Sequence, residues 1–98
     1  MMELFEFLLE LLTRSSSEPS PVSWEGSDGE FMVLDYYNLA MLWGLRKKLY
    51  NHGAHWMREK LETYSRRSSR ILSSVEGKRD SFKFDLELLI EKVIIEEI

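Results

Sequence analysis

Cysteine is absent from all 98 residues, which excludes disulfides, thiolate nucleophiles and cysteine-containing zinc sites. Proline occurs only as Pro19 and Pro21, inside the Ser/Pro-rich stretch SSSEPSP. No apolar run exceeds five residues, so no transmembrane span is expected and no membrane partner is implied. The opening MMELFEF carries acids where a secretory signal carries bases, and none is expected there. His52 and His55 stand three apart with Glu59 four beyond His55, but a metal site needs three or four converging ligands and no Cys or Asp joins them, so no metal and no cofactor is expected. The many serines lack a histidine and an orienting carboxylate at any recognisable spacing, so the sequence gives no warrant for an enzyme. What remains is a short chain, 44% hydrophobic and 12% aromatic, sized for one folded domain over 1–98 with one modest core.

Charge is unevenly distributed. Residues 1–43 hold eight acids against Arg14 alone; residues 44–79 hold ten bases against Glu59, Glu62 and Glu76; residues 80–98 turn acidic again. A basic centre between acidic ends suits either a polyanion-binding face or internal charge balance.

Leu4, Leu8, Leu11 and Leu12 recur at helical spacing and predict a helix over 2–13, with Glu3, Glu6 and Glu10 on its other side. Residues 22–34 predict a hairpin around Gly26–Gly29. Asp35 caps a second helix that Gly44 is expected to end after Trp43. A basic connection fills 45–55, and a third helix runs from about Trp56 to Arg67 on Met57, Leu61 and Tyr64. Strands at 70–75 and 81–84 flank the turn Glu76–Arg79. Asp85 then caps a C-terminal helix whose Leu88, Leu89, Ile90, Val93, Ile94, Ile95 and Ile98 suit either packing on the first helix or self-association. The order α-β-β-α-α-β-β-α is that of an α+β winged helix-turn-helix: three helices on a four-stranded antiparallel sheet, plus a C-terminal helix.

Four segments, in order, resemble the ETS domain, the winged helix-turn-helix DNA-binding module of a transcription-factor family. Leu4–Leu12 (LFEFLLELL) is similar to its first-helix signature. Val22–Gly26 followed by Asp28–Phe31 (VSWEG, DGEF) resembles its first hairpin. Leu39–Lys47 (LAMLWGLRK) resembles its second helix, and Val75–Arg79 with Phe82–Phe84 (VEGKR, FKF) resembles its wing. The likeness spans about 4–84, leaving 85–98 as the added C-terminal helix.

The resemblance implies double-stranded DNA as partner and the nucleus as location. It places the third helix in a major groove and the wing and turn on phosphates. Arg66, at the second of two arginine positions that read a GGA core in the family, becomes the candidate base contact. Thr63 stands at the first, offering a hydroxyl and a methyl where the family has a guanidinium. Leu4 (through its amide), Trp43, Arg46, Lys47, Lys60, Arg67, Lys78 and Arg79 become candidate phosphate contacts. Arg67-Ser68-Ser69 replaces the family's tyrosine run. These replacements imply weakened base reading; the alternative they raise is a designed or drifted scaffold that keeps the fold without specific DNA binding.

Overall fold

The computed structural model describes the chain except residues 1–2, 15–19, 27, 50, 68–70 and 98, and describes the side chains of α4 as far as Glu91. Among the described residues the order is α1 (Leu4–Thr13), β1 (Val22–Glu25), β2 (Glu30–Val33), α2 (Tyr36–Lys47), α3 (Ala54–Arg67), β3 (Leu72–Ser74), β4 (Ser81–Phe84) and α4 (Leu86–Glu97). The expected fold class is the observed one.

The strands form one antiparallel sheet in the order β1-β2-β4-β3. β1 and β2 pair from Val22 opposite Val33 to Glu25 opposite Glu30, and Phe31 stands opposite Phe82 across β2 and β4. That register stacks Phe31 between Phe82 and Phe84, with ring centroids 5.9 and 5.1 Å apart. Gly29 closes the first turn at φ +87°, and a Cβ there would lie 2.9 Å from the Phe84 carbonyl oxygen. Only glycine combines that backbone angle with so close a strand.

The helices cover one another around the aromatic core. Phe5 and Phe7 are buried along with the predicted Leu4, Leu8, Leu11 and Leu12, so α1 is apolar around most of its circumference. Phe7 meets Trp43 of α2 at 5.0 Å, and Met57 and Leu61 bury the inner face of α3. Asp35 caps α2 as expected, its Oδ1 accepting the Asn38 N–H at 3.0 Å; Asp85 Oδ1 does the same for Leu88 at the start of α4. In α4, Leu89 joins the core, while Leu86 and Ile90 remain exposed. The predicted apolar positions Val93, Ile94, Ile95 and Ile98 lie outside the described side chains.

Two boundaries differ from expectation. Helix α2 does not stop at Gly44 but runs to Lys47, and Lys48 takes the left-handed cap at φ 57°. Gly44 is instead buried at a close approach: a Cβ would fall 2.5 Å from the Leu49 carbonyl oxygen. The glycine serves the fold-back of the chain after α2, not helix termination. Helix α3 starts two residues earlier than predicted, at Ala54, so the basic connection is shorter. The last strand pair is also shorter than expected, with β3 confined to Leu72–Ser74; Arg70, at the predicted strand start, lies outside the described residues.

Candidate functional site

Helix α3 lies between two concavities, and its own chemistry is divided among three faces. Met57, Leu61 and Ser65 face the core. Glu59, Glu62 and Arg66 are exposed on the outward side. Arg66 makes no ion pair among the described residues, and Glu62 one turn earlier does not engage it.

On one flank of α3 opens a cleft of about 640 Å³. It brings together six of the ten candidate residues from three separate helices: Leu4 at the start of α1, Trp43 and Lys47 from α2, and Lys60, Thr63 and Arg67 from α3. The start of α1 carries a capping box, the Glu3 side chain accepting the Glu6 main-chain N–H. Trp43 is only 3% exposed, and its indole Nε1–H is buried without a hydrogen-bond partner among the described residues. Orphaned buried donors are uncommon and ask for an acceptor. Two ammonium groups flank this ring. Lys47 Nζ lies 5.3 Å and Lys60 Nζ 5.9 Å from the Trp43 centroid, within cation–π range. Lys60 also lies 5.4 Å from the Trp56 ring, on whose other neighbour, His52, the indole stacks at 4.0 Å.

Glu3 and Glu59 also line the cleft. Glu59 is engaged by His55, whose Nε2 lies 3.1 Å from its Oε1. The cleft walls therefore combine two lysines, one arginine and a buried N–H with two carboxylates at the margin. The sequence reading missed Trp56, Tyr64, Glu3, Glu59 and Leu49 as lining residues. Trp56, Lys60, Thr63 and Arg67 repeat at i, i+4, i+7 and i+11, a helical face that was legible in the sequence.

The other flank of α3 faces the wing. A second concavity there is lined by Tyr36, Arg58, Glu62, Lys78, Arg79 and Asp80, among others. Here the cations meet the chain's own acids. Arg58 Nη2 donates to Asp80 Oδ1 at 2.8 Å, an ion pair that raises the arginine's pKa further. Arg58 also lies over the Tyr36 ring at 5.4 Å. Burial, and then the adjacent Asp80 carboxylate, push the Tyr36 hydroxyl well above the ordinary phenol range. Asp80 itself sits at φ 63°, with its carbonyl accepting the Val33 N–H at 2.9 Å. Lys78 Nζ lies 3.4 Å from Glu30 Oε2. Lys78 and Arg79 are both exposed at the turn, so they join Arg58 and Glu62 but not the cleft.

Arg46 belongs to neither flank. It turns to α1 and makes a two-pronged ion pair with Glu10, Nη1 to Oε2 at 2.8 Å and Nη2 to Oε1. Its hydrogen bonds pull the Glu10 carboxyl below the ordinary carboxylate range. The sequence reading grouped Arg46 with Lys47 as a phosphate ligand; the helix geometry separates them, because successive helical residues point about 100° apart.

The Ets-domain family model matches residues 1–85. The chain is 41% identical over 83 residues to the retroviral integration site protein Fli-1 homolog of Xenopus laevis, covering 85% of this chain and 18% of that protein. It is 40% identical over 83 residues to the human transcriptional regulator ERG, covering 85% and 17%. To the DNA-binding protein D-ETS-3 of Drosophila melanogaster it is 38% identical over 85 residues, covering 87% and 17%. The chain thus spans less than a fifth of the length of these relatives. Similarity at this level to natural regulators gives no support to weakened binding or to a designed scaffold, and that alternative is set aside.

Proposed function

The chain belongs to the Ets-domain family, and from that premise we propose that it acts as a double-stranded DNA-binding domain serving transcription regulation, and hence in the nucleus. Helix α3 occupies the major groove, whose width of about 12 Å admits one helix. A helix lying in that groove has a phosphate backbone on each side. The chain's basic residues divide accordingly: Lys47, Lys60 and Arg67 on the cleft flank, Lys78 and Arg79 on the wing flank. Arg66, exposed between them, donates to guanine O6 and N7, a contact worth roughly 1–3 kcal/mol of discrimination. Thr63 offers its methyl and hydroxyl beside it.

The single observation carrying this reading is the buried Trp43 N–H, unpartnered among the described residues, of a ring over which two ammonium groups lie, in a cleft beside the start of α1. A backbone phosphate supplies the acceptor and the countercharge together, and charge-assisted bonds of this kind are about twice as strong as neutral ones.

The test is a titration at controlled salt of a duplex carrying a GGA core and of a scrambled duplex. The expected result is a preference for the first and a steep salt dependence for both. In the double variant K47M/K60M, affinity for both duplexes falls together and the salt slope drops by about two. Arg66→Ala erases the preference while non-specific binding persists. Equal and very weak binding to both duplexes by the unaltered chain overturns the proposal.

A further inference from the structure

On α2 the surface away from the core is apolar. Tyr37, Met41 and Leu45 follow one another at one per turn and are 66, 49 and 60% exposed; Leu49, just past the Lys48 cap, is 41% exposed. Residues at i, i+4 and i+8 share one helical face. Single exposed apolar side chains are ordinary, but a continuous row on one helix marks a contact surface. Beside the row runs a groove of about 440 Å³ with Ala40 and Gly44 among its lining residues, both buried and both small. This surface is separate from the cleft and the wing, apart from Leu49 at its margin.

We propose that this row is the docking surface for a second copy of the chain, two α2 helices packing antiparallel about a two-fold axis at Met41. The pattern is self-complementary, as an isologous contact requires. Tyr37 and Leu45 stand four residues on either side of Met41. The axis therefore sets Tyr37 against the partner subunit's Leu45 and Met41 against the partner subunit's Met41. Charge selects the direction. The N-terminal end of α2 carries the capping Asp35 and no base in its first turn, whereas its C-terminal end carries the exposed Lys48 cap, Lys47 being turned to the cleft. Antiparallel packing brings each acidic end beside a basic one and opposes the helix dipoles favourably, while parallel packing sets like ends together. The groove beside the row accepts the facing side chains. One helix row is small for an interface, so the pairing is weak, on the order of 100 μM. It does not depend on the DNA-binding reading.

The absence of cysteine makes the test direct, because an introduced cysteine reports alone. Met41→Cys, Tyr37→Cys, Leu45→Cys and Ile90→Cys are each prepared in the full chain and treated with a short bismaleimide. Met41→Cys is expected to yield covalent dimer on its own. Tyr37→Cys and Leu45→Cys are expected to link efficiently only when mixed, and Ile90→Cys, on the exposed face of α4, only at background. In sedimentation, the rise of mass with concentration is expected to disappear in Met41→Glu, and the affinity to fall roughly tenfold in Lys48→Glu as two attractions become repulsions. The cross-linking arm decides the matter if Met41→Glu fails to fold. A mass that stays monomeric to the order of 1 mM, Ile90→Cys linking faster than Met41→Cys, or Tyr37→Cys linking with itself as well as with Leu45→Cys overturns the proposal.

Discussion

The two flanks of α3 carry similar charge and offer it differently. On the cleft flank, Lys47 and Lys60 lie over the Trp43 ring, whose N–H is buried and has no partner among the described residues. On the wing flank, Arg58 and Lys78 each face a carboxylate, Asp80 and Glu30. A base count treats these flanks as one positive stretch, whereas the folded chain holds two of the wing flank's cations, Arg58 and Lys78, in internal pairs. Cation–π contacts to an aromatic face leave an ammonium's remaining donors open, whereas an ion pair directs them at an internal acceptor. Under the proposed function, the cleft flank is therefore the one that receives a phosphate without first releasing Lys47 or Lys60 from a carboxylate.

The largest expected effect comes from removing the geometry that builds the cleft flank. Gly44→Ala places a methyl 2.5 Å from the Leu49 carbonyl oxygen, and Leu49 lines the cleft. Backbone cannot rotate away as a side chain can, so the chain after α2 must shift. A loss of about 1–3 kcal/mol is expected in urea denaturation. Duplex affinity should fall beyond what the lost stability explains, with the wing unaffected, as amide chemical shifts of residues 76–80 would report. An unchanged stability would mean that the approach of Leu49 is not fixed, and the contrast between the flanks would lose its structural cause.

The contrast itself is tested next by releasing the wing cations. In the double variant E30Q/D80N both carboxylates become amides of nearly the same shape. Lys78 and Arg58 lose their internal partners, and duplex affinity at low salt should rise by roughly three- to tenfold with a steeper salt slope. Thermal denaturation should show a lower Tm, because Asp80 holds α3 to the wing through Arg58. If affinity falls instead, the pairs position the wing for DNA and do not compete with it, and the two flanks are alike in function.

The sequence made the elements legible because their signals are local. Alternation and turn residues place both hairpins, the capping aspartates Asp35 and Asp85 mark two helix starts, and leucine spacing marks α1. Trp43, Lys47, Lys60 and Thr63 were identified by motif, and the structure brings them to one cleft. The pairings that decide which cations are available were not legible. Arg46 and Glu10 are 36 residues apart, Arg58 and Asp80 are 22, and Lys78 and Glu30 are 48. Such pairs are set by how β2, the wing and α1 approach the helices, and no periodicity encodes that. Gly44 misled for a related reason: glycine at a helix end and glycine under a close backbone approach look the same in sequence.

Arg46 gives the smallest effect and separates the two kinds of cation most cleanly, because its partner Glu10 lies on α1, outside both flanks. The hydrogen bond from Arg46 is the largest cause lowering the Glu10 pKa, with burial opposing it. A carboxyl whose folded pKa is depressed stabilises the fold at pH above its unfolded pKa, and the contribution is lost as pH falls through the folded value. The stability difference between the unaltered chain and Glu10→Gln should therefore be constant near neutral pH. It should shrink through and below the ordinary carboxylate range and vanish in acid. Both partners are substantially exposed, so the difference should be small and should diminish further in high salt. Urea denaturation from pH 3 to pH 7, at two salt concentrations, checks the sign, and a difference that grows as the pH falls would contradict it. The same variant removes the Glu10 carboxylate from Arg46, one position from Lys47. A salt slope for duplex binding that stays unchanged in Glu10→Gln would mean that helix geometry, and not the pair with Glu10, keeps Arg46 out of the contact proposed for Lys47.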